Sequence, residues 1–310
     1  MAPSQSAIQT RDLIVGSTTY AKLTQRSRFM RVTKSSMTQE NQIRCPISQK
    51  PMEYVFSETV LGKHLVKYFY CDESGLLKTE HPYWLEEAYR EAISDTDTGL
   101  VDRNVTNSSM LEAVLECLGI RDGKLLDVAG GYGLLTRLMR DKGFDCYTTD
   151  KYCKNLFAKS FEPDAGFKAE AIFAFEVLEH IENPMQFLSE MFDAYGCRTM
   201  MFSTLVFTEK VPPRDWWYYS FEGGQHISFY QARTLKLLAD RLNCNYLMLS
   251  PELHLITDKK VSTISRVILT SERLRRLYSR YARFKRQGKG KTWEDHLKMK
   301  EQLKAKTERD

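Results

Sequence analysis

Residues 124–150 read KLLDVAGGYGLLTRLMRDKGFDCYTTD, and their reading decides the fold. A short apolar run of strand length, 124–129, ends in Gly130-Gly131-Tyr132-Gly133. Leu134, Leu135, Leu138 and Met139 then recur at helical spacing, and 144–149 is a second short strand that stops on Asp150. Strand, glycine-rich turn, helix and strand make half of a doubly wound α/β sheet, with a ligand expected outside the carboxyl ends of the strands. Glycines at such a turn let the backbone approach a ligand that any Cβ would push away. An acid at the end of the second strand can accept both hydroxyls of a ribose.

A nicotinamide fingerprint needs Gly-x-Gly-x-x-Gly, and counted from Gly131 the third glycine falls on Thr136. What stands instead is Asp127-x-Ala129-x-Gly131-x-Gly133. It resembles the Asp/Glu-x-Gly-x-Gly-x-Gly of class I S-adenosylmethionine-dependent methyltransferases, one small-residue change away.

The whole chain has 310 residues, enough for one large domain with appendages. Both ends are basic within a net charge of only +5, and no apolar run approaches the about 18 residues that a membrane span needs. Seven scattered cysteines are odd in number, which points to free thiols in a reducing compartment and a cytoplasmic location. Residues 1–44, rich in Ser, Thr and Gln with few acids, read as a disordered extension, with an organelle-targeting segment as the alternative.

Residues 45–80 read as a small ribbon-like β unit. Cys45-Pro46-Ile47-Ser48 and Cys71-Asp72-Glu73-Ser74 stand where a zinc ribbon has two Cys-x-x-Cys knuckles. Serine in the last position of each leaves two thiolates, so a ribbon without its metal is expected. The methyltransferase domain is assigned to 81–270. In it, HPYWLEEAYREAI sets Trp84, Ala88 and Ala92 on one helical face, DTDTGLVDRN reads as a polar loop, and 110–118 as a helix. Residues 171–175 are a buried strand by their continuous apolar character. Asn183 and Pro184 cap the next helix, 198–205 is a strand, 231–242 is an amphipathic helix, and two or three strands end the domain near Thr270. Residues 271–310 read as a basic helical tail, with Leu274, Leu277 and Tyr281 packed on the domain and binding of nucleic acid or acidic lipid as the alternative.

With LLDVAGGYG, Asp150, FEVLEHIENP and GGQHISFY in order, the chain resembles the group that includes ubiquinone-biosynthesis O-methyltransferases, and bacterial relatives associated with polysaccharides. The resemblance implies a Rossmann-like sheet and S-adenosylmethionine as cofactor. It places Asp127, Ala129, Gly131 and Gly133 along the methionine and ribose of that cofactor, Asp150 on the ribose hydroxyls, and Phe175 and Glu176 beside the sulfonium. It further implies methyl transfer to a hydroxyl of a sugar, glycan or other small metabolite.

An alcohol is a poor nucleophile until its proton is taken, so a positioned base is expected. His180 and His226, with Glu179 beside them, are the catalytic candidates, and the four clustered aromatics at 216–219 offer an apolar wall for a sugar ring. Glu176, Glu179, His180 and His226 together also resemble the metal site of the ribose methyltransferases that cap small-RNA ends. A metal-free base is the expectation and a divalent ion the alternative. Two other functional classes stay open: a cofactor-binding accessory subunit of a glycan-assembly complex, and a metal-dependent RNA ribose methyltransferase. Nucleic acid is not the expected partner.

Overall fold

The structure, a computed structural model, describes residues 43–89, 98–286 and 288–307. The extension expected at 1–44 lies outside these up to residue 42, as does Ala92. In chain order come β1 (Glu53–Val60), β2 (His64–Tyr70), β3 (Leu77–Thr79), one turn of helix α1 (Leu85–Ala88) and the long α2 (Leu100–Cys117). They are followed by β4 (Lys124–Val128), α3 (Leu134–Asp141), β5 (Asp145–Thr149), β6 (Ala171–Ala174), α4 (Pro184–Tyr195) and β7 (Thr199–Ser203). The remainder holds β8 (Ser228–Phe229), α5 (Ala232–Arg241), β9 (Asn245–Ser250), β10 (Leu253–Thr257), α6 (Thr263–Thr270), α7 (Glu272–Lys285) and α8 (Thr292–Thr307).

Six strands form the central sheet in the order β5-β4-β6-β7-β10-β9. β5, β4, β6 and β7 are parallel, and β10 runs antiparallel to both of its neighbours. Successive strand residues point to opposite faces. Leu126, Ile172, Met200 and Phe202 therefore pack with Leu188 and Phe192 of α4 and Leu235 and Leu238 of α5. Leu125, Phe173, Met201 and Leu255 pack on the other face with Leu111 and Val114 of α2, Leu135 and Met139 of α3 and Leu269 of α6. A sheet covered on both sides explains the unbroken apolar character of strands such as β6. The strand order reverses at β4, which has β5 on one side and β6 on the other. The crevice beyond their carboxyl ends is where such sheets hold ligands.

Local signals behave as the sequence predicts at α4, where the Asn183 side chain accepts from the Gln186 N–H at 3.2 Å and Pro184 takes the first position. Elsewhere the structure differs. The expected polar loop at 95–104 already contains the first turn of α2, because the chain joins a helix whose later turns are buried. The domain's late strands are two, and α6 rather than a strand reaches Thr270.

A second, antiparallel sheet has the order β1-β2-β3-β8 and takes its fourth strand from the segment after β7. Phe56, Tyr68, Trp84, Tyr218, Tyr219 and Phe229 fill its core. At its end the two knuckles meet: Cys45 Sγ lies 3.2 Å from Ser74 Oγ, and Ser48 Oγ lies 3.3 Å from Cys71 Sγ. All four side chains are buried. Burial raises the Cys71 thiol pKa, but hydrogen bonds from Ser48 and Ser74 outweigh it and hold the thiol below its ordinary value.

Candidate active site

The turn after β4 is built from backbone conformations that side chains resist. Ala129 (φ 54°), Gly131 (φ 58°) and Gly133 (φ 81°) are all left-handed. At Ala129 that costs about 1–2 kcal/mol relative to glycine, so the alanine in the motif carries more than the bulk of an added methyl. Gly130 is required for a different reason: a Cβ there would lie 2.4 Å from both Asp127 Oδ2 and Thr148 Oγ1. A Cβ on Gly131 would meet open space, whereas one on Gly133 would strike Asn155 Oδ1 at 2.4 Å. Gly131 thus faces a cavity, and Gly133 caps α3 behind the turn.

That cavity, of about 550 Å³, lies over the reversal point of the sheet. Asp127, Ala129, Gly131, Asp150, Phe175 and Glu176 line it, as do His180 and His226; Gly133 and Glu179 are not among its lining residues. Asp127 is buried, and burial pushes its carboxyl pKa up to about 8. Thr136, at the position of the absent third glycine, donates to the Tyr147 carbonyl at 3.3 Å and so ties α3 to β5. Asp150 joins the turn to the loop after β5: its Oδ2 accepts from the Gly131 N–H at 2.9 Å, its Oδ1 from the Tyr152 and Cys153 N–H groups at 2.7 Å. Glu176, itself left-handed at φ 53°, is held by Ser203, whose hydroxyl accepts from the Glu176 N–H and donates to its Oε1.

His180 and His226 are brought together by hydrogen bonds between 178–181 and 225–230. The Ile227 N–H donates to the Glu179 carbonyl at 2.8 Å, and the Ser228 and Tyr230 hydroxyls donate to the carbonyls of Ile181 and Leu178 at 2.7 Å. The imidazole centroids are then 5.0 Å apart. His180 Nδ1 meets the Gln225 carbonyl at 2.9 Å, and His226 Nδ1 meets the Tyr218 carbonyl at 2.7 Å. A carbonyl only accepts, so each Nδ1 carries the hydrogen and each Nε2 keeps its lone pair. Burial pulls both imidazoles below the ordinary histidine range.

Glu179 sits beneath them, fully buried. Its Oε1 accepts from the Tyr218 hydroxyl at 2.9 Å, and its Oε2 has no partner. Burial, followed by the charge of Glu176, pushes its pKa up to about 7. One donor atom from each of Glu179, His180 and His226 lies within 4.8 Å of the others. The orphaned oxygen and the two tethered imidazoles suit a divalent cation, since ligating histidines commonly give their other N–H to a carbonyl. Glu176 does not join them, because its carboxylate turns to Ser203.

The aromatic wall expected at 216–219 is not formed as a unit. Tyr218 and Tyr219 are buried in the second sheet's core, Trp216 packs on Phe207 and Tyr219, and only Trp217, 73% exposed, reaches the cavity. Other lining residues escaped the sequence reading. Tyr89 and Tyr152 stack at 4.6 Å with rings 3° from parallel, and Arg103, Asn104 and Asn107 project from the first turns of α2. Reading 95–104 as a loop hid the helical spacing that puts Arg103 and Asn107 on one face.

Residues 102–249 match a family described as a methyltransferase domain. That segment, under half of the chain, is similar to a methyltransferase domain and holds β4, β5, β6 and β7 of the central sheet. No curated protein matches by sequence. Among solved structures, the methyltransferase of calicheamicin biosynthesis in its SAH-bound form is 14% identical over 56% of this chain and 60% of its own, with a TM-score of 0.37. Human N-acetylserotonin methyltransferase in complex with SAM is 12% identical over 57% and 66%, with a TM-score of 0.37. The plantazolicin methyltransferase in complex with a monoazolic desmethylPZN analog and SAH is 10% identical over 64% and 87%, at 0.40. The chain spans less than two thirds of the length of the first two.

Proposed function

We propose that the chain is an S-adenosylmethionine-dependent O-methyltransferase acting on a hydroxyl of a sugar, glycan or other small metabolite. One observation carries this reading: a single cavity has a left-handed glycine turn on one side and two imidazoles with fixed Nε2 lone pairs on the other. S-adenosylmethionine would lie along Asp127, Ala129 and Gly131 with its ribose at Asp150, and Phe175 and Glu176 would flank the sulfonium. The acceptor would enter beside His180, His226 and Trp217. Methyl transfer is an in-line displacement whose leaving group needs no proton, so alignment supplies most of the barrier reduction. An Nε2 takes the proton of the acceptor hydroxyl as it attacks, and the Glu179 carboxylate stabilises the imidazolium that results.

The test is release of S-adenosylhomocysteine from labelled cofactor with extracts of candidate acceptors, followed by mass spectrometry of the product. His180→Ala or His226→Ala should lower turnover by roughly 10²–10⁴-fold with cofactor affinity nearly unchanged, since proton removal matters only in the transition state. Full activity in both variants would remove the base from the mechanism. Cofactor binding without turnover on any acceptor would favour the accessory subunit.

A divalent cation is the second reading, favoured by the unpartnered Glu179 Oε2. Glu179, His180 and His226 would hold it, and it would lower the pKa of an acceptor hydroxyl. Elemental analysis and calorimetric titration with Mg²⁺ or Mn²⁺ separate the two readings without recourse to activity.

A further inference from the structure

Helix α7 presents its apolar side to solvent. α7 buries Arg275, Ser279 and Ala282, the reverse of what an amphipathic helix on a domain normally does. Polar groups hold it there: Arg275 donates to the Leu249 and Leu269 carbonyls, Ser279 to the Ser109 carbonyl, and Arg283 to Glu112 of α2. On its far side Leu274, Leu277, Tyr281 and Phe284 recur three or four residues apart and are 39%, 53%, 50% and 74% exposed. Leu274, Leu277 and Tyr281 thus do not pack on the domain as their helical spacing predicts, because polar groups of α7 take that side. Helix α6, which packs against α7, adds Ile264 and Val267, 75% and 53% exposed. Arg273, Arg276 and Arg280, all exposed, run along one flank of the α7 stripe.

We propose that this face docks on an anionic lipid surface, with the α7 apolar stripe entering the boundary between headgroups and acyl chains and the three arginines on lipid phosphates. An apolar stripe with a basic flank is the arrangement that holds a helix in the plane of an anionic membrane. No helix among the described residues is long and apolar enough to cross one, so the contact is peripheral. A second copy of the chain fits less well, because a two-fold contact that sets the two α7 helices antiparallel would bring its own arginine row against itself. The chain's 1–42 segment does not complement the charge either, since it carries Arg11, Lys22, Arg26, Arg28, Arg31 and Lys34 against Asp12 and Glu40. Nucleic acid would answer the arginines and leave Leu277 and Phe284 in water.

The test is sedimentation of the full chain with vesicles of phosphatidylcholine alone and of phosphatidylcholine with phosphatidylserine. Binding is expected only to the second. Leu277→Asp with Phe284→Asp should lower partitioning by roughly a hundredfold, and Arg273→Ala with Arg276→Ala and Arg280→Ala by a similar factor. These side chains are exposed, so S-adenosylmethionine affinity should stay at the wild-type value and report an intact fold. Absence of wild-type binding to the anionic vesicles, equal binding to both kinds, or undiminished binding of the Leu277→Asp/Phe284→Asp protein would overturn the proposal. So would a wild-type dimer that this double variant turns into a monomer, which would make the face a contact between copies.

Discussion

Among the described residues, two clusters gather side chains of the kind that bind metals, and they end in opposite states. At the knuckles, Cys45, Ser48, Cys71 and Ser74 close on one another, thiol to hydroxyl, at 3.2 and 3.3 Å. Backbone groups complete the arrangement, as the Ser48 N–H donates to Cys45 Sγ and the Leu76 N–H to Ser74 Oγ. At the cavity, Glu179, His180 and His226 also converge, but a carboxylate oxygen lacks a partner and each imidazole keeps an Nε2 lone pair. A buried polar group without a partner costs about 1–3 kcal/mol. The knuckle cluster has removed that cost by bonding to itself, whereas the cavity cluster retains it and stays ready for a proton, an acceptor or a cation. Ligand-like composition is therefore common to both clusters, and unsatisfied bonding capacity is what separates them.

The strongest way to break the comparison is to reopen the closed cluster. Ser48→Cys with Ser74→Cys supplies four thiols where two hairpin turns already face each other. Structural zinc in such sites is worth on the order of 10 kcal/mol, so the double variant should hold stoichiometric zinc through dialysis and the wild type well under one per chain. Elemental analysis of both decides it. Zinc in the wild-type knuckles would show that the serines have not closed the site.

A smaller effect sharpens the open side. The Glu179 carboxyl is raised from 4.5 to about 7 in the fold. The folded chain therefore keeps a proton that the unfolded chain has lost, and stability falls as pH rises through that window. The contribution is present below pH 4.5 and gone above about 7, and amounts to about 3 kcal/mol. Asp127 acts with the same sign up to about 8, so the difference between wild type and Glu179→Gln isolates Glu179. Denaturant unfolding of chelator-treated protein across this range should show the extra slope in the wild type alone. A cation bound at Glu179 should abolish it without any substitution, because it holds the carboxylate ionised.

The smallest effect returns to the knuckles. Ser74→Ala leaves Cys45 and the Leu76 N–H without their partner and should cost about 1–2 kcal/mol by urea unfolding, with cofactor affinity unchanged. A neutral outcome would mean that the tetrad contributes no cohesion and that the comparison describes geometry alone.

What the sequence determined by itself was whatever short-range chemistry dictates. Leu134, Leu135, Leu138 and Met139 announce α3, Asn183 and Pro184 start α4, and the glycine turn with Asp150 marks the crevice, because caps, periodicity and backbone freedom act within a few residues. It also named His180 and His226, and only a resemblance to a metal site implied that they meet. Only the tertiary structure decided that, through the bonds that Ile227, Ser228 and Tyr230 make to the 178–181 turn. It likewise decided which ring nitrogen each histidine leaves free, which aromatic of 216–219 reaches the cavity, and that the apolar stripe of α7 points outward. These outcomes depend on which distant surface each side chain is offered, and helical or strand periodicity gives the spacing of a stripe without the direction it faces.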